Sequence, residues 1–298
     1  MSFFQLPSFI QKKQKIDHAL EKLIQNYDEN TNLKKAIEYS FFNGGKRIRP
    51  VMVLMIQEAL NCPYDIIESA VSIELYHTAS LIADDLPSMD NDNLRREHPA
   101  CHVRFGDTVA LLASYGLIAL AFEKIHDCAT SIRSFNIKYS EFSANACLNA
   151  LKAASFSAGI QGATLGQYYD LFPNEDCSIE KLMYLKTVTL FEVAFLFGWY
   201  FGGGDISKVE DVKKLSYHLG MAYQIADDIQ DRQSDEEKGK NCNYAIYYGL
   251  ENAKEMFSFH LEEVRLGLAE LKLNTEDFIA LVCFLENYGN VQEKAAIV

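Results

Sequence analysis

The sequence is poor in proline, with 6 in 298 residues, and has no long Pro/Gly/Ser-rich tract. Nothing therefore marks a linker, and one domain over residues 1–298 is expected. Basic residues are scarce too: 28 Lys and Arg against 41 Asp and Glu leave a net charge of −13. An acidic surface does not suit a nucleic-acid partner, because phosphate backbones are bound by basic ones. An anionic substrate would need a locally basic site. The seven cysteines, Cys62, Cys101, Cys128, Cys147, Cys177, Cys242 and Cys283, form no CxxC pair and no Cys–His cluster at zinc spacing. They read as free thiols in a reducing, cytoplasmic setting. The start, MSFFQLPSFIQKKQK, lacks a basic region ahead of a long apolar core and a small-residue cleavage site, so no secretory signal is expected. The longest apolar stretch, 193–204, is too short to span a bilayer, which argues against membrane insertion.

Period-two alternation is almost absent, and apolar residues recur at helical spacing nearly everywhere. Such stretches cover 10–27, 31–42, 46–60, 65–86, 105–127, 141–160, 177–201, 211–231, 244–271 and 275–287. The pattern predicts an all-α protein, a single bundle of about ten helices. Within 211–231, Val212, Leu215, Leu219, Ala222, Ala226 and Ile229 step by three or four and mark a buried face. Gln224, Asp227, Asp228 and Asp231 form a polar stripe beside it.

Two acidic boxes are candidate sites. The first, LIADDLPSMDNDNLRREHP, holds Asp84, Asp85, Asp90 and Asp92 with Arg95 and Arg96 close behind. Clustered carboxylates repel unless something positive lies between them, and magnesium, held by one or two carboxylates together with phosphate oxygens and water, is a natural counter-charge. Asp84 and Asp90 are six apart, roughly 120° around a regular helix, so the backbone must depart from helix if both are to meet one ion. Pro87 provides the break, and the arginines suit diphosphate oxygens. A solvated acidic turn balanced by its own arginines accounts for the same residues. In the second box, Asp227 and Asp231 share one helix face, with Asp228 on the adjacent one. Like charges at that spacing destabilise a helix, and their place beside an apolar stripe favours a metal site over a solvated surface.

Basic positions are weaker signals. NGGKRIRP sets Lys46, Arg47 and Arg49 beside Gly44 and Gly45, and suits either an anion site or a surface turn. His77 lies two turns before Asp84 and reads as a core histidine or a ligand. Lys186 and Thr187 suit phosphate contact or the capping of a helix, and spacing does not choose.

Taken together, GGKRIRP, DDLPSMD with LRR following, GQYYDL, KT and YQIADDIQD come in the order seen in the trans-isoprenyl diphosphate synthase family, which the chain resembles over nearly its whole length. The resemblance implies an all-α fold around a deep central cavity, and a homodimer. It implies that Asp84, Asp85, Asp90, Asp227, Asp228 and Asp231 hold magnesium bridging an allylic diphosphate. Arg95, Lys186, Thr187 and Gln224 would contact that substrate, and Lys46, Arg49, His77 and Arg96 would hold isopentenyl diphosphate. The implied reaction ionises the allylic C–O bond, adds the isopentenyl double bond to the cation and eliminates a proton.

The chain departs from the family pattern at Ala83, where His is usual, and at Ala113, Ser114 and Tyr115, where A-G-D is usual. It departs again after Asp231, where the loop RQSDEEKGKNCNYA is short and Lys238 or Lys240 stands in for the usual lysine. One turn behind Asp84, Ala79 and Ser80 occupy the positions that form the chain-length floor in the family. Two small residues there imply a deep pocket and a geranylgeranyl product, with farnesyl diphosphate the rival. A class I terpene cyclase would mix Asn, Ser or Thr with Glu in its second box and would not need the isopentenyl-binding cluster. A non-catalytic partner of an active synthase would commonly have lost one box, whereas both stand here.

Overall fold

A computed structural model describes residues 3–27, 29–173, 177–237 and 242–289. In chain order the helices are α1 (Pro7–Gln25), α2 (Asn32–Phe42), α3 (Ile48–Ala59), α4 (Ile67–Asp84), α5 (Cys101–Phe105), α6 (Asp107–Phe135), α7 (Ser140–Ala158), α8 (Ala163–Leu171), α9 (Ile179–Met183), α10 (Thr189–Gly202), α11 (Val209–Glu237), α12 (Tyr244–Tyr247), α13 (Leu250–Glu270) and α14 (Glu276–Gly289). The sole sheet among the described residues is a two-stranded hairpin of β1 (Leu94–Arg95) and β2 (His98–Pro99). A π-helical turn, Tyr184–Val188, joins α9 to α10 and makes 179–202 one continuous rod. The periodic stretches of the sequence correspond to these helices with ends shifted by a few residues. The short α5 and α8 fall between them, and α12 lies within the stretch 244–271 apart from α13, so the number of separate helices exceeds ten.

Side chains at the boundaries explain the starts. Pro7 opens α1, where its missing N–H costs no hydrogen bond. Thr31 and Ser178 accept from the Lys34 and Lys181 backbone N–H groups, at 3.2 Å each, and cap α2 and α9. Asn243 accepts from the Ala245 and Ile246 N–H groups and caps α12.

The chain forms two compact units. One comprises Phe4–Ser155 and Leu196–Gly204, and here α4 is the core helix, packed on α6, α3 and α1. Residues from Ser69 to Tyr76 are buried all round it, so a helix with little amphipathic contrast ends in the first acidic box. The other unit comprises Met1–Phe3, Phe156–Phe195 and Asp205–Val298. There α11 packs on α13, α14, α12 and the π turn, and its apolar face from Val212 to Ile229 is buried as the periodicity predicts.

Among the described residues, two rods, 107–135 and 179–202, are long and apolar enough to cross a membrane by length and composition. Both lie on stretches that the sequence marks as helical, 105–127 and 177–201, and each outruns the uninterrupted apolar run 193–204 because polar residues punctuate it. The second is a core helix, 83% buried in its most apolar window, whereas the same figure for α6 is 33%. The α6 face turned from α4 carries Leu112, Tyr115 and Ile118, which are 49%, 61% and 37% exposed.

Candidate active site

In the first unit, α4 ends at Asp84 and the chain reverses at once. The Leu86 N–H donates to the Ala83 carbonyl at 3.2 Å, Asn91 takes a left-handed φ of 55°, and the Asp90 N–H donates to the Asp84 carbonyl at 2.9 Å. The break at Pro87 thus brings Asp90 back to Asp84, as their spacing required. Asp85 is different: it is buried, and Arg95 Nε donates to both its oxygens, at 2.9 and 3.2 Å, with Nη2 adding a further bond. Arg95 also lies 3.7 Å from Asp92. Asp85 is therefore spent on Arg95, whereas Asp84 and Asp90 sit at the partly and fully exposed rim.

The glycine-flanked basic run meets LRR here. Arg96 Nη1 donates to the Gly44 carbonyl, and a Cβ on Gly45, whose φ is +125°, would lie 2.6 Å from that same nitrogen. Only glycine admits the guanidinium so close. Arg47 turns inward: it is 5% exposed and hydrogen-bonds Glu74 at 2.6 Å, Asp17 at 3.0 Å and the Phe41 carbonyl. Lys46 is exposed, over the Phe4 ring at 5.1 Å. Burial, then Arg49, Arg96, Arg47 and Arg95, hold the His77 imidazole well below its ordinary value, so it is neutral. Its Nδ1 is buried without a hydrogen-bond partner. Four arginines thus surround a neutral histidine, two of them, Arg47 and Arg95, already paired with carboxylates.

At the floor positions, Ala79 is 1% exposed and Ser80 is half-buried, its hydroxyl donating to the His77 carbonyl at 2.9 Å.

In the second unit, Asp228 is the counterpart of Asp85. It accepts from Gln224 Nε2 and from the Tyr244 backbone N–H, both at 2.8 Å, while Asn243 Nδ2 donates to its carbonyl at 2.8 Å. Burial pushes its carboxyl up to about 6 against those bonds. Asp228 thus fastens the segment after α11 back onto the helix and occupies Gln224. Asp227 takes a hydrogen bond from Tyr288, and Asp231 is exposed. Lys186 and Thr187 lie in the π turn, a backbone irregularity of a kind found often at functional sites. Lys186 is ion-paired with Asp170. Lys238 lies outside the described residues.

Sequence reasoning missed Asp170, Glu74 and Tyr288. Asp170 had a signal, standing four residues after Gly166 in GQYYDL, and Glu74 had one as an acid in the middle of the apolar run of α4. Tyr288 had none.

Among the described residues no three His, Cys, Asp or Glu side chains cluster tightly enough to hold a metal ion by themselves. Magnesium asks for less, one or two carboxylates with the rest of its shell from phosphate and water. Asp84 and Asp90 in one unit and Asp227 and Asp231 in the other supply hard oxygen donors of that kind at partly or fully exposed positions. The donor chemistry fits.

The polyprenyl synthetase family model matches residues 30–247. The chain belongs to the polyprenyl synthetase family. It is 36% identical over 87% of its length, and 89% of the relative's, to a farnesyl diphosphate synthase of Geobacillus stearothermophilus. It is 33% identical to geranylgeranyl pyrophosphate synthase 4 of Arabidopsis thaliana, over 96% of this chain and 78% of that one. Among solved structures, a geranyltranstransferase from Thermotoga maritima matches with a TM-score of 0.69 at 30% identity, covering 94% of this chain and 96% of that one. This polyprenyl synthetase is thus an all-α prenyltransferase of isoprenoid synthesis, with the isoprenoid synthase fold.

Proposed function

We propose that the protein condenses isopentenyl diphosphate with an allylic diphosphate, depends on magnesium, and makes geranylgeranyl diphosphate. The observation that carries the reading is the reversal after α4, where the Asp90 N–H bonds the Asp84 carbonyl and so brings two aspartates six apart in sequence onto one turn. Both acidic boxes being intact speaks against a non-catalytic partner subunit.

In this reading Asp84 and Asp90, and Asp227 and Asp231, would hold the magnesium. Asp85 and Asp228 act one step back, Asp85 orienting Arg95 and Asp228 tying down the segment after α11. When bound, magnesium neutralises charge developing on the departing diphosphate. Arg95 and Lys186 add positive charge to the leaving group, and Thr187 and Gln224 contact the same allylic substrate. Arg49 and Arg96, with Lys46 and neutral His77, hold the isopentenyl diphosphate. The released diphosphate takes the proton lost in the last step.

Ala79 and Ser80 support a longer product because neither side chain fills space one turn behind Asp84. Farnesyl diphosphate is the rival, since relatives of both names match at similar identity. We take the protein to work as a homodimer through the exposed apolar face of α6, whose Leu112, Tyr115 and Ile118 suit a second copy. The family match spans parts of both units, which supports one functional domain. The seven unpaired cysteines support a cytoplasmic, reducing location.

Chain-length analysis after incubation with isopentenyl diphosphate and dimethylallyl, geranyl or farnesyl diphosphate tests the product. Geranylgeranyl diphosphate should accumulate from each starter. Accumulation of farnesyl diphosphate alone moves the assignment to the rival, and no turnover with any starter moves it to the partner subunit.

A further inference from the structure

The helix that carries the first acidic box is fastened to its neighbour by two matching hydrogen bonds. The Ser72 hydroxyl on α4 donates to the Ala121 carbonyl on α6 at 2.8 Å, and the Ser114 hydroxyl on α6 donates to the Ala79 carbonyl on α4 at 3.0 Å. Donor and acceptor are seven residues apart on each helix and run in opposite directions, so the pair is reciprocal across an antiparallel seam. Ser72, Ala79, Ser114 and Ala121 are each no more than 3% exposed. Ala110, Ala113 and Ala121 line the α6 side of the seam and are wholly buried. Small side chains let the backbones approach, and each buried hydroxyl finds its partner in the opposing main chain.

The two bonds differ in what they hold. Ser72 acts about 10 Å farther down the helix than Ala79. Ser114 holds Ala79 itself, the proposed floor of the product pocket, five residues before Asp84. Sliding or tilting α4 against α6 would strand the Ser114 hydroxyl, because no water reaches it.

We infer that Ser114 is a specificity-positioning residue: by fixing the Ala79 carbonyl against α6 it sets the depth at which the growing chain is stopped. The inference rests on the floor reading given above. Ser114 touches no substrate in this account and acts through Ala79, whereas Ser72, making the same bond two turns away, serves stability alone.

The test compares Ser114→Ala with Ser72→Ala, measuring thermal stability and the ratio of geranylgeranyl to farnesyl product, with Ala79→Tyr alongside. Both serine variants should melt earlier, and only Ser114→Ala should change the product ratio, by about threefold or more, a modest step beside the discrimination one methylene can give. Ser114→Thr, which keeps the hydroxyl, should restore the wild-type ratio. An unchanged ratio in Ser114→Ala, or equal changes in both serine variants, overturns the inference. If Ser114→Ala does not fold, Ser114→Cys, with a weaker donor of similar size, is read in its place by the same criteria. A shortened product from Ala79→Tyr keeps the floor reading whatever Ser114 does; an unchanged product from Ala79→Tyr removes the floor reading itself.

Discussion

Gly166 offers a sharp test of how Lys186 is held. Helix α8 packs on the π turn so closely that a Cβ at Gly166 would lie 2.5 Å from the Lys186 nitrogen, 2.7 Å from the Leu185 carbonyl carbon and 2.8 Å from the Lys186 Cα. All three are backbone atoms, which cannot rotate away as a side chain would. Ordinary contact begins near 3.4 Å, so Gly166→Ala must drive α8 and the π turn apart by about 1 Å. A displacement of that size at a group that orients substrate costs about 100-fold in rate, equivalent to about 2.7 kcal/mol of transition-state stabilisation. It also separates Asp170, on α8, from Lys186. Steady-state kinetics with the allylic diphosphate varied, beside a melting curve, should show kcat/KM falling about 100-fold with a loss of stability of about 1–3 kcal/mol. Wild-type kcat/KM in a folded Gly166→Ala protein would refute the idea that this packing positions Lys186.

Glu74→Ala takes from buried Arg47 its 2.6 Å partner and leaves Asp17 as its remaining carboxylate; the expected cost is about 3 kcal/mol, the lower end for a broken buried pair, read from denaturant midpoints, with Glu74→Gln milder. The His218–His260 pair, whose Nδ1 atoms are 2.9 Å apart between α11 and α13, predicts acid sensitivity. Burial, then His218, hold His260 down to about 4, and burial lowers His218. Between the ordinary value of 6.5 and about 4, the unfolded chain takes up protons the folded one refuses. Stability is therefore full above this window and falls as pH drops through it, by up to about 3 kcal/mol from His260. Denaturant midpoints at neutral and acid pH should show the slope flattened in His260→Gln; an identical slope in that variant would count against the pair.

Much of the fold and part of the site were legible in the sequence, for identifiable reasons. The helical period of residues 211–231 was clear because α11 buries a single face, and the departure from helix between Asp84 and Asp90 followed from their spacing and Pro87. What stayed hidden depends on contacts between segments distant in the chain. Asp84 and Asp85 are adjacent in sequence, and only the fold shows that Arg95 takes the second of them. Asp227 and Asp228 sit on adjacent helix faces, and only the fold shows that Tyr244 returns its N–H to Asp228. The helix expected over 105–127 continues to Phe135, its apolar run interrupted at Glu123 and Lys124, of which Lys124 is paired with Glu68 and Asp127.

The central claim is that paired aspartates from both acidic boxes assist diphosphate departure. Diphosphate release measured with isopentenyl and farnesyl diphosphates, in magnesium and in chelator, for the wild type, Asp84→Asn and Asp227→Asn, tests it most directly. The account predicts magnesium-dependent turnover by the wild type and a loss of about 100- to 1,000-fold in each variant. Turnover that survives chelator, or that either substitution leaves intact, would contradict it.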